Sequence, residues 1–509
     1  MATKVNSFRT HGIEAVPVTV ECEITKGIGI HLIGLADAAV KQSLLRTITA
    51  LEANGYRIPG KKIIINLAPA DLRKSSTHFD LPIALAFIAE SGQQAIPEIG
   101  GKAIDPTELG SYVIAGELAL DGSVRDVPGW MQAALLAEET GKDVILPLHC
   151  ARLAARAVEG NIKVIGVENL AEAVQVLTNR ELRDEYDALD WFGEEPESSC
   201  EGVWDSIRGN FGAKRALEIA AAGGHSMLLV GSPEAEKSRF ARALNEILPL
   251  ETRQEATEIQ QIYSAANRGF NYLERPFRTP HWSTSLSALL GGGNGENVLP
   301  GEVTLAHNGV LYLDEFVNIP NAVKEALRGP IKDGKVTIRR LNGNVEFPAK
   351  FIHVLGTLPC PCGYYGEGDR CTCSPRQRWE YLGKLSGPVY DHTAVQAWVH
   401  PDPDNEVSAG DSATVVAARV ARARGIQMAR QGCLNNDLHN GVVGEESFVG
   451  EAAFKTLNNI FSQMGLSVRA YAHIIRIART IADLEGVEVI TPQHICEAST
   501  YRFLDRPAV

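Results

Sequence analysis

Residues Gly231-Ser232-Pro233-Glu234-Ala235-Glu236-Lys237-Ser238 are the first in the chain whose types and spacing could do chemistry. They stand between an apolar run, Met227 to Val230, and a helical pattern that opens at Lys237. A strand, a glycine-led turn and a helix beginning Lys-Ser make a phosphate loop, in which backbone amides close around phosphate oxygens. Gly231, Lys237 and Ser238 are then the candidate ligands for ATP and its Mg²⁺. Such a cradle wants glycine just before the Lys, whereas here Glu236 fills that place and Glu234 stands two residues earlier. One carboxylate about 4 Å from one phosphate charge costs about 4 kcal/mol at an effective dielectric near 20. Micromolar affinity is worth only about 8 kcal/mol, so the two acids predict weak or lost ATP binding. The plain alternative is an accidental Gly/Lys/Ser loop.

Further along, Leu311-Tyr312-Leu313-Asp314-Glu315 is an apolar strand ending in two acids. At that place Asp314 would face Mg²⁺ and Glu315 the attacking water. Four cysteines cluster as Cys360, Cys362, Cys371 and Cys373. Two thiolate pairs can close a tetrahedral Zn²⁺ site that staples a short loop, with reduced thiols or a disulfide as alternatives. Lys332, Lys335, Arg339 and Arg340 lie in a hairpin pattern, 332–350, around Asn342-Gly343. Its cations could track a DNA strand or form a solvated face. Arg275, Arg278 and His281 could do similar work or pack a subunit interface.

The elements that must position these groups read as follows. Residues 1–178 alternate β-rich runs with helical patterns, an α+β domain. Residues 179–205 turn acidic and read as a helix end followed by an exposed linker. Residues 206–400 give strand, loop and helix in the order of a parallel α/β sheet. Residues 401–509 are helical throughout, a helical lid. The 509 residues suit about three domains, and the net charge of −13 leaves no whole-molecule attraction to nucleic acid or an anionic membrane. The start lacks a signal-peptide core and no run approaches a membrane span, so a cytoplasmic protein is expected.

The blocks KRALEIAAAGGH, RPFRTPH, PGEVTLAHNGVLYLDE, LPCPCGYYG, SGP and VRAYAHIIRIARTIADLEG, with NLAPADLRKSSTHFDLPIALA nearer the start, resemble the ComM/YifB family of magnesium-chelatase-like AAA+ proteins. The resemblance runs over essentially the whole chain. It implies a Lon-protease-like domain of the ribosomal S5 domain 2 type at 1–178, a AAA+ P-loop module at 206–400 with its Cys-rich loop at 360–373, and a magnesium-chelatase-like lid at 401–509. It also implies a homo- or hetero-oligomeric ring, ATP with Mg²⁺, and DNA processing such as branch migration. Arg469 matches the family's second sensor.

The departures are systematic. Leu358 stands where the family has a water-polarising Asn, and His392 follows Asp391 where the family has an arginine finger. The Lon-like Ser and Lys places hold Ile83 and Ala133, so no protease dyad forms, and the nearby Ser75 and Ser76 are read as loop hydroxyls. The expectation is therefore a weak or non-hydrolysing subunit or scaffold, with Glu315 a vestigial water activator. An active branch-migration motor and a zinc-stapled interaction protein without nucleotide are the competing readings.

Overall fold

The computed structural model describes residues 2–34, 38–69, 77–94, 101–155, 158, 162–188, 202–268, 275–293, 298–340, 343–385, 387–401, 407–438 and 448–505. Ser75 and Ser76 lie outside them. The architecture is mixed α/β, built on two large sheets.

The first sheet takes β1 (Thr3–His11), β2 (Glu14–Thr25), β3 (Gly29–Ile33), β4 (Lys62–Ala68), β5 (Tyr112–Ile114), β6 (Asp143–Pro147) and β7 (Val164–Val167), in the order β3-β4-β2-β1-β5-β6-β7. Strands β1 and β2 pair antiparallel from Thr3↔Cys22 to His11↔Glu14, so the chain reverses at Gly12-Ile13. Val18, Val20 and Cys22 alternate inward with period two, the signature of a sheet face on a core. Helix α1 (Ala38–Ala53) and helix α2 (Asp80–Ser91) cover that face. Residues Asp80 to Ala89 are all buried. Asp80 enters the core because Arg46 pairs with it at 3.0 Å and the Leu118 amide donates to it at 3.2 Å. Ile83 and Ala133, at the two expected dyad places, are apolar core residues.

Helix α3 (Trp130–Thr140) ties this unit to the next. The Gly129 and Met131 amides donate to Ser264 O and Ser264 Oγ, each at 3.0 Å, and Gln132 Nε2 donates to Gln261 O at 2.8 Å.

The second sheet is five-stranded: β8 (Met227–Gly231), β9 (Phe277–Arg278), β10 (Val310–Leu313), then, after the hairpin β11 (Lys335–Arg340) and β12 (Gly343–Pro348), β13 (Ile352–Thr357) and β14 (Val395–Val399). Its order is β9-β10-β13-β8-β14 and every pairing is parallel. A parallel sheet is covered on both faces, which explains the unbroken apolar runs. Met227, Leu229, Tyr312 and Val354 face one core; Leu228, Val230, Leu311 and Leu355 face the other.

In the acidic stretch 179–205, Leu182–Glu185 is a helix, and at the far end Trp204 is buried rather than exposed, its indole N–H donating to Asp411 O at 2.8 Å and its ring lying against the Lys214 ammonium. Residues 189–201 lie outside the described residues. The C-terminal region is helical, with helices Ala413–Gln431, Glu451–Met464, Val468–Glu485 and Pro492–Thr500. The first and third of these pack on the helix Phe211–Gly223, within the same core that lies under the sheet.

Four histidines are sealed in neutral form. Burial lowers His225, His353 and His473 to about 3 and His78 to about 4. His353 is fixed between Ser226 Oγ at 2.8 Å and Thr393 Oγ1 at 3.1 Å. The unfolded chain protonates such groups near pH 6.5, so stability is full above that value and is lost as pH falls toward the folded values. Asp80 and Glu251, which burial raises to about 7, pull the other way across the same window, leaving a net of about two protons. We predict that unfolding stability measured in urea falls by about 2–3 kcal/mol per pH unit below pH 6. A flat profile between pH 6.5 and 5 would contradict it.

Candidate functional site

Strands β8, β10 and β13 lie side by side in parallel register, Val230 beside Thr357 and Leu313 beside Leu355. Their ends therefore deliver Gly231, Asp314 and Leu358 to one edge of the sheet. Gly231 has no room for a side chain, since a Cβ there would stand 2.4 Å from Val399 O. The chain turns through Ser232 to Ala235 and the helix Lys237–Glu246 begins at the Lys.

Lys237 is buried, and its Nζ donates to Gly231 O at 3.1 Å and to Ser232 O at 3.0 Å. Its ammonium thus closes on the loop's own carbonyls. Burial lowers its pKa while Asp314 and Glu315 oppose that shift, which places the two acids within electrostatic reach of the Lys. Asp314 Oδ1 accepts from the Glu315 amide at 2.8 Å, and Glu315 Oε2 accepts from Asn318 Nδ2 at 3.0 Å. Ser238 is exposed one residue into the helix. Lys237, Asp314 and Glu315 therefore converge as a nucleotide site requires.

The two loop acids behave differently from the sequence expectation. Glu234 meets Arg370 through two bonds of 2.8 and 3.1 Å, which hold its carboxyl below the usual range. Glu236 pairs with Arg239 at 3.2 Å. Both carboxylates are more than half exposed. Neither stands as an uncompensated charge in the cradle, since each acid is paired with an arginine. The Glu236–Arg239 pair was available from sequence as an i,i+3 spacing at a helix start. Arg370 carried no such signal, being 136 residues from its partner.

The four cysteine sulfurs lie within 4.8 Å of one another, with Cys360 to Cys362 at 3.3 Å, Cys360 to Cys371 at 3.8 Å and Cys362 to Cys371 at 3.7 Å. Sulfurs bound to one tetrahedral Zn²⁺ stand about 3.8 Å apart, and a disulfide needs about 2.05 Å. The set fits a metal and not a disulfide. The Tyr364 amide first, and the Cys360 thiol next, bring Cys362 down to about 6, which favours the thiolate a metal requires.

Arg469 is not brought to Lys237. It pairs with Asp391, and His473 Nε2 donates to Asp391 O at 3.1 Å. Asp391 and His392 precede β14, whose start lies beside Met227 and whose end lies beside Gly231. They stand at the opposite end of the sheet from the phosphate loop, about 13 Å away along the strand. His392 is held below the ordinary imidazole value by partial desolvation first and by Arg469 next.

The remaining cations are mostly engaged. Lys335 pairs with Glu346 at 2.9 Å, while Val336, Val345 and Phe347 bury the other face of the hairpin. Arg275 is buried against Glu255 at 3.0 Å, and Arg278 grips Glu302 at 2.6 and 2.8 Å. Arg339, Lys332 and His281 are exposed. The Asn342 turn and the Arg340 side chain lie outside the described residues.

Comparison with known proteins gives consistent matches along the chain. Residues 204–407 match the family model described as magnesium chelatase, subunit ChlI; residues 20–149 match subunit ChlI of Mg-chelatase; residues 410–502 match the ChlI C-terminal model. The uncharacterized protein YifB of Escherichia coli is 35% identical over 509 residues, covering 97% of this chain and 96% of its own length. The competence protein ComM of Haemophilus influenzae is 35% identical over 516 residues, covering 99% and 97%. An uncharacterized protein of Mycobacterium tuberculosis, Rv2897c, is 34% identical over 493 residues, covering 94% of each.

One backbone feature of the site is testable by itself. Glu236 has φ +45, a left-handed conformation that costs a residue with a Cβ about 1–2 kcal/mol. We predict that Glu236→Gly leaves unfolding stability within about 0.5 kcal/mol of wild type, relief of strain offsetting the added chain entropy, while Glu236→Val loses about 1–2 kcal/mol. Equal effects of the two substitutions in urea denaturation would contradict this.

Proposed function

The chain belongs to the magnesium-chelatase-like family that includes YifB and ComM, and from that premise we propose that it binds ATP with Mg²⁺ but turns it over slowly or not at all, acting as a weak or non-hydrolysing subunit or scaffold in DNA processing. The observation that carries this reading is a division within the site. Lys237, Ser238, Asp314 and Glu315 retain the groups that hold nucleotide and metal, while the adjoining place for a water-orienting amide is the apolar Leu358.

The geometry adds a second reason. Because Arg469 and His392 occupy the far end of the sheet, they serve a nucleotide only in a neighbouring copy, as in a ring. There His392 presents a largely neutral ring where a guanidinium would stabilise transferring phosphate, a contact worth roughly 10³–10⁵ in rate in phosphate-transferring enzymes. A polar water-orienting group is worth a further few kcal/mol.

In this reading Cys360, Cys362, Cys371 and Cys373 hold one Zn²⁺ that supplies a structural staple and no chemistry. Residues 1–178 form a Lon-protease-like domain without its dyad. Among the described residues, the hairpin 332–350 offers DNA the exposed Arg339, with Lys332 nearby at its base. Among the described residues no helix is long and apolar enough to cross a membrane.

The active-motor alternative shares the binding step, which the pairing of both loop acids with arginines supports in either reading, and draws on the retained Glu315. Turnover separates the two. With or without DNA, the wild-type chain should hydrolyse ATP at least about a hundredfold more slowly than variants carrying Leu358→Asn and His392→Arg together. Robust wild-type hydrolysis, abolished by Glu315→Gln, would promote the motor reading. Metal analysis of protein purified without chelator should give about one Zn²⁺ per chain. A ratio near zero with four freely reactive thiols would remove the staple.

A further inference from the structure

The cysteine loop and the phosphate loop leave neighbouring strands, β13 and β8, at the same end of the sheet. They touch twice. Gly363, at φ +88, brings its backbone against the Pro233 ring, where an added Cβ would stand 3.1 Å from Cδ and 3.3 Å from Cγ. Arg370, the residue before Cys371, closes its guanidinium on Glu234 with bonds of 2.8 and 3.1 Å. The same guanidinium lies over the Tyr364 ring, 4.0 Å from its centroid, and donates to a second acid, Glu367, at 3.3 Å. One arginine thus spans the two loops and is fixed on both sides by the segment between the cysteine pairs.

That segment has little regular structure of its own, a single short 3₁₀ turn at Gly368–Arg370. An ion pair half open to water does not hold such a loop against its conformational entropy. A closed cysteine cluster would, because it fixes Cys371 and with it the adjoining Arg370.

We propose that Arg370 is a positioning residue for nucleotide binding: when the four cysteines hold a metal, Arg370 clasps Glu234, cancels its charge and keeps the phosphate loop in the form that accepts a nucleoside triphosphate. Nucleotide affinity then depends on the metal, and metal retention depends on the clasp. This rests on the reading that the cysteines bind Zn²⁺ and the loop binds ATP. By linkage the metal strengthens nucleotide affinity by the same factor by which nucleotide strengthens metal affinity.

The test titrates a fluorescent ATP analogue with Mg²⁺ into the full-length chain as purified and after Zn²⁺ removal by a chelator. Stripping the wild type should weaken binding about five-fold, and Arg370→Glu should be equally weak with Zn²⁺ present. The swapped pair Glu234→Arg with Arg370→Glu should recover both the affinity and its Zn²⁺ dependence, an outcome that mere damage to the fold does not give. A second readout needs no nucleotide: Glu234→Gly, which touches no cysteine, should release Zn²⁺ to a chromogenic chelator about three-fold faster than wild type. Analogue affinity indifferent to both Zn²⁺ and Arg370, or equal release rates, would overturn the clasp while leaving the family reading intact. Absence of Zn²⁺ from the purified chain, or of analogue binding in every form, would instead overturn the reading beneath it, and the clasp with it.

Discussion

A parallel sheet fixes where chemistry can be placed. Because β8, β10, β13 and β14 run the same way, every loop that follows a strand leaves at one edge, and every segment that precedes a strand arrives at the other. Hydrogen-bond register then sets neighbours without reference to side chains: Val230 beside Thr357 puts the phosphate loop next to the cysteine loop, and Leu313 beside Leu355 brings Asp314 to the same corner. The apolar runs that bury both faces of the sheet are thus the condition for the polar site, since slippage in any one strand would separate Lys237 from its acids.

The same constraint explains why Asp391 and Arg469 pair with each other, away from the Lys237 loop of their own chain. Asp391 precedes a strand; Lys237 follows one. The helix Val468–Glu485 carries Arg469 to the edge where the strands begin because its buried stripe, Ala470, Ile474, Ile477 and Ile481, packs in the core shared with the helix Phe211–Gly223. A charged residue at the start of that helix has no freedom to reach the other edge.

What could be seen in the sequence was what local pattern determines. The apolar strand ending in Gly231, the Lys-Ser helix start, the acids after Leu313 and the two cysteine pairs all announced themselves by spacing, and their convergence follows from the parallel sheet the pattern implied. What could not be seen was set by contacts between distant segments. Trp204 sits in an acidic stretch without periodicity, yet it is drawn into the core by a carbonyl 207 residues away. Glu234 and Glu236 carry charge in any linear reading; only folding gives the first its distant arginine. The helical character of the C-terminal region was plain, but the surface it covers depends on which helix faces it, and that is a matter of packing.

The turn between β1 and β2 has one further consequence. At Gly12 the first sheet reaches across to the hairpin of the second unit, so closely that a Cβ would meet Val345 at 3.0 Å, and Ile13 packs with Val298, Val345 and Phe347. The hairpin's apolar side is thereby sheltered by a part of the chain more than three hundred residues upstream. Residues 206–505 expressed as a separate piece would lose that shelter and expose a sticky β-ribbon face prone to self-association. The hairpin and the β1–β2 turn thus form a matched joint, each limiting the side chains that fit against the other.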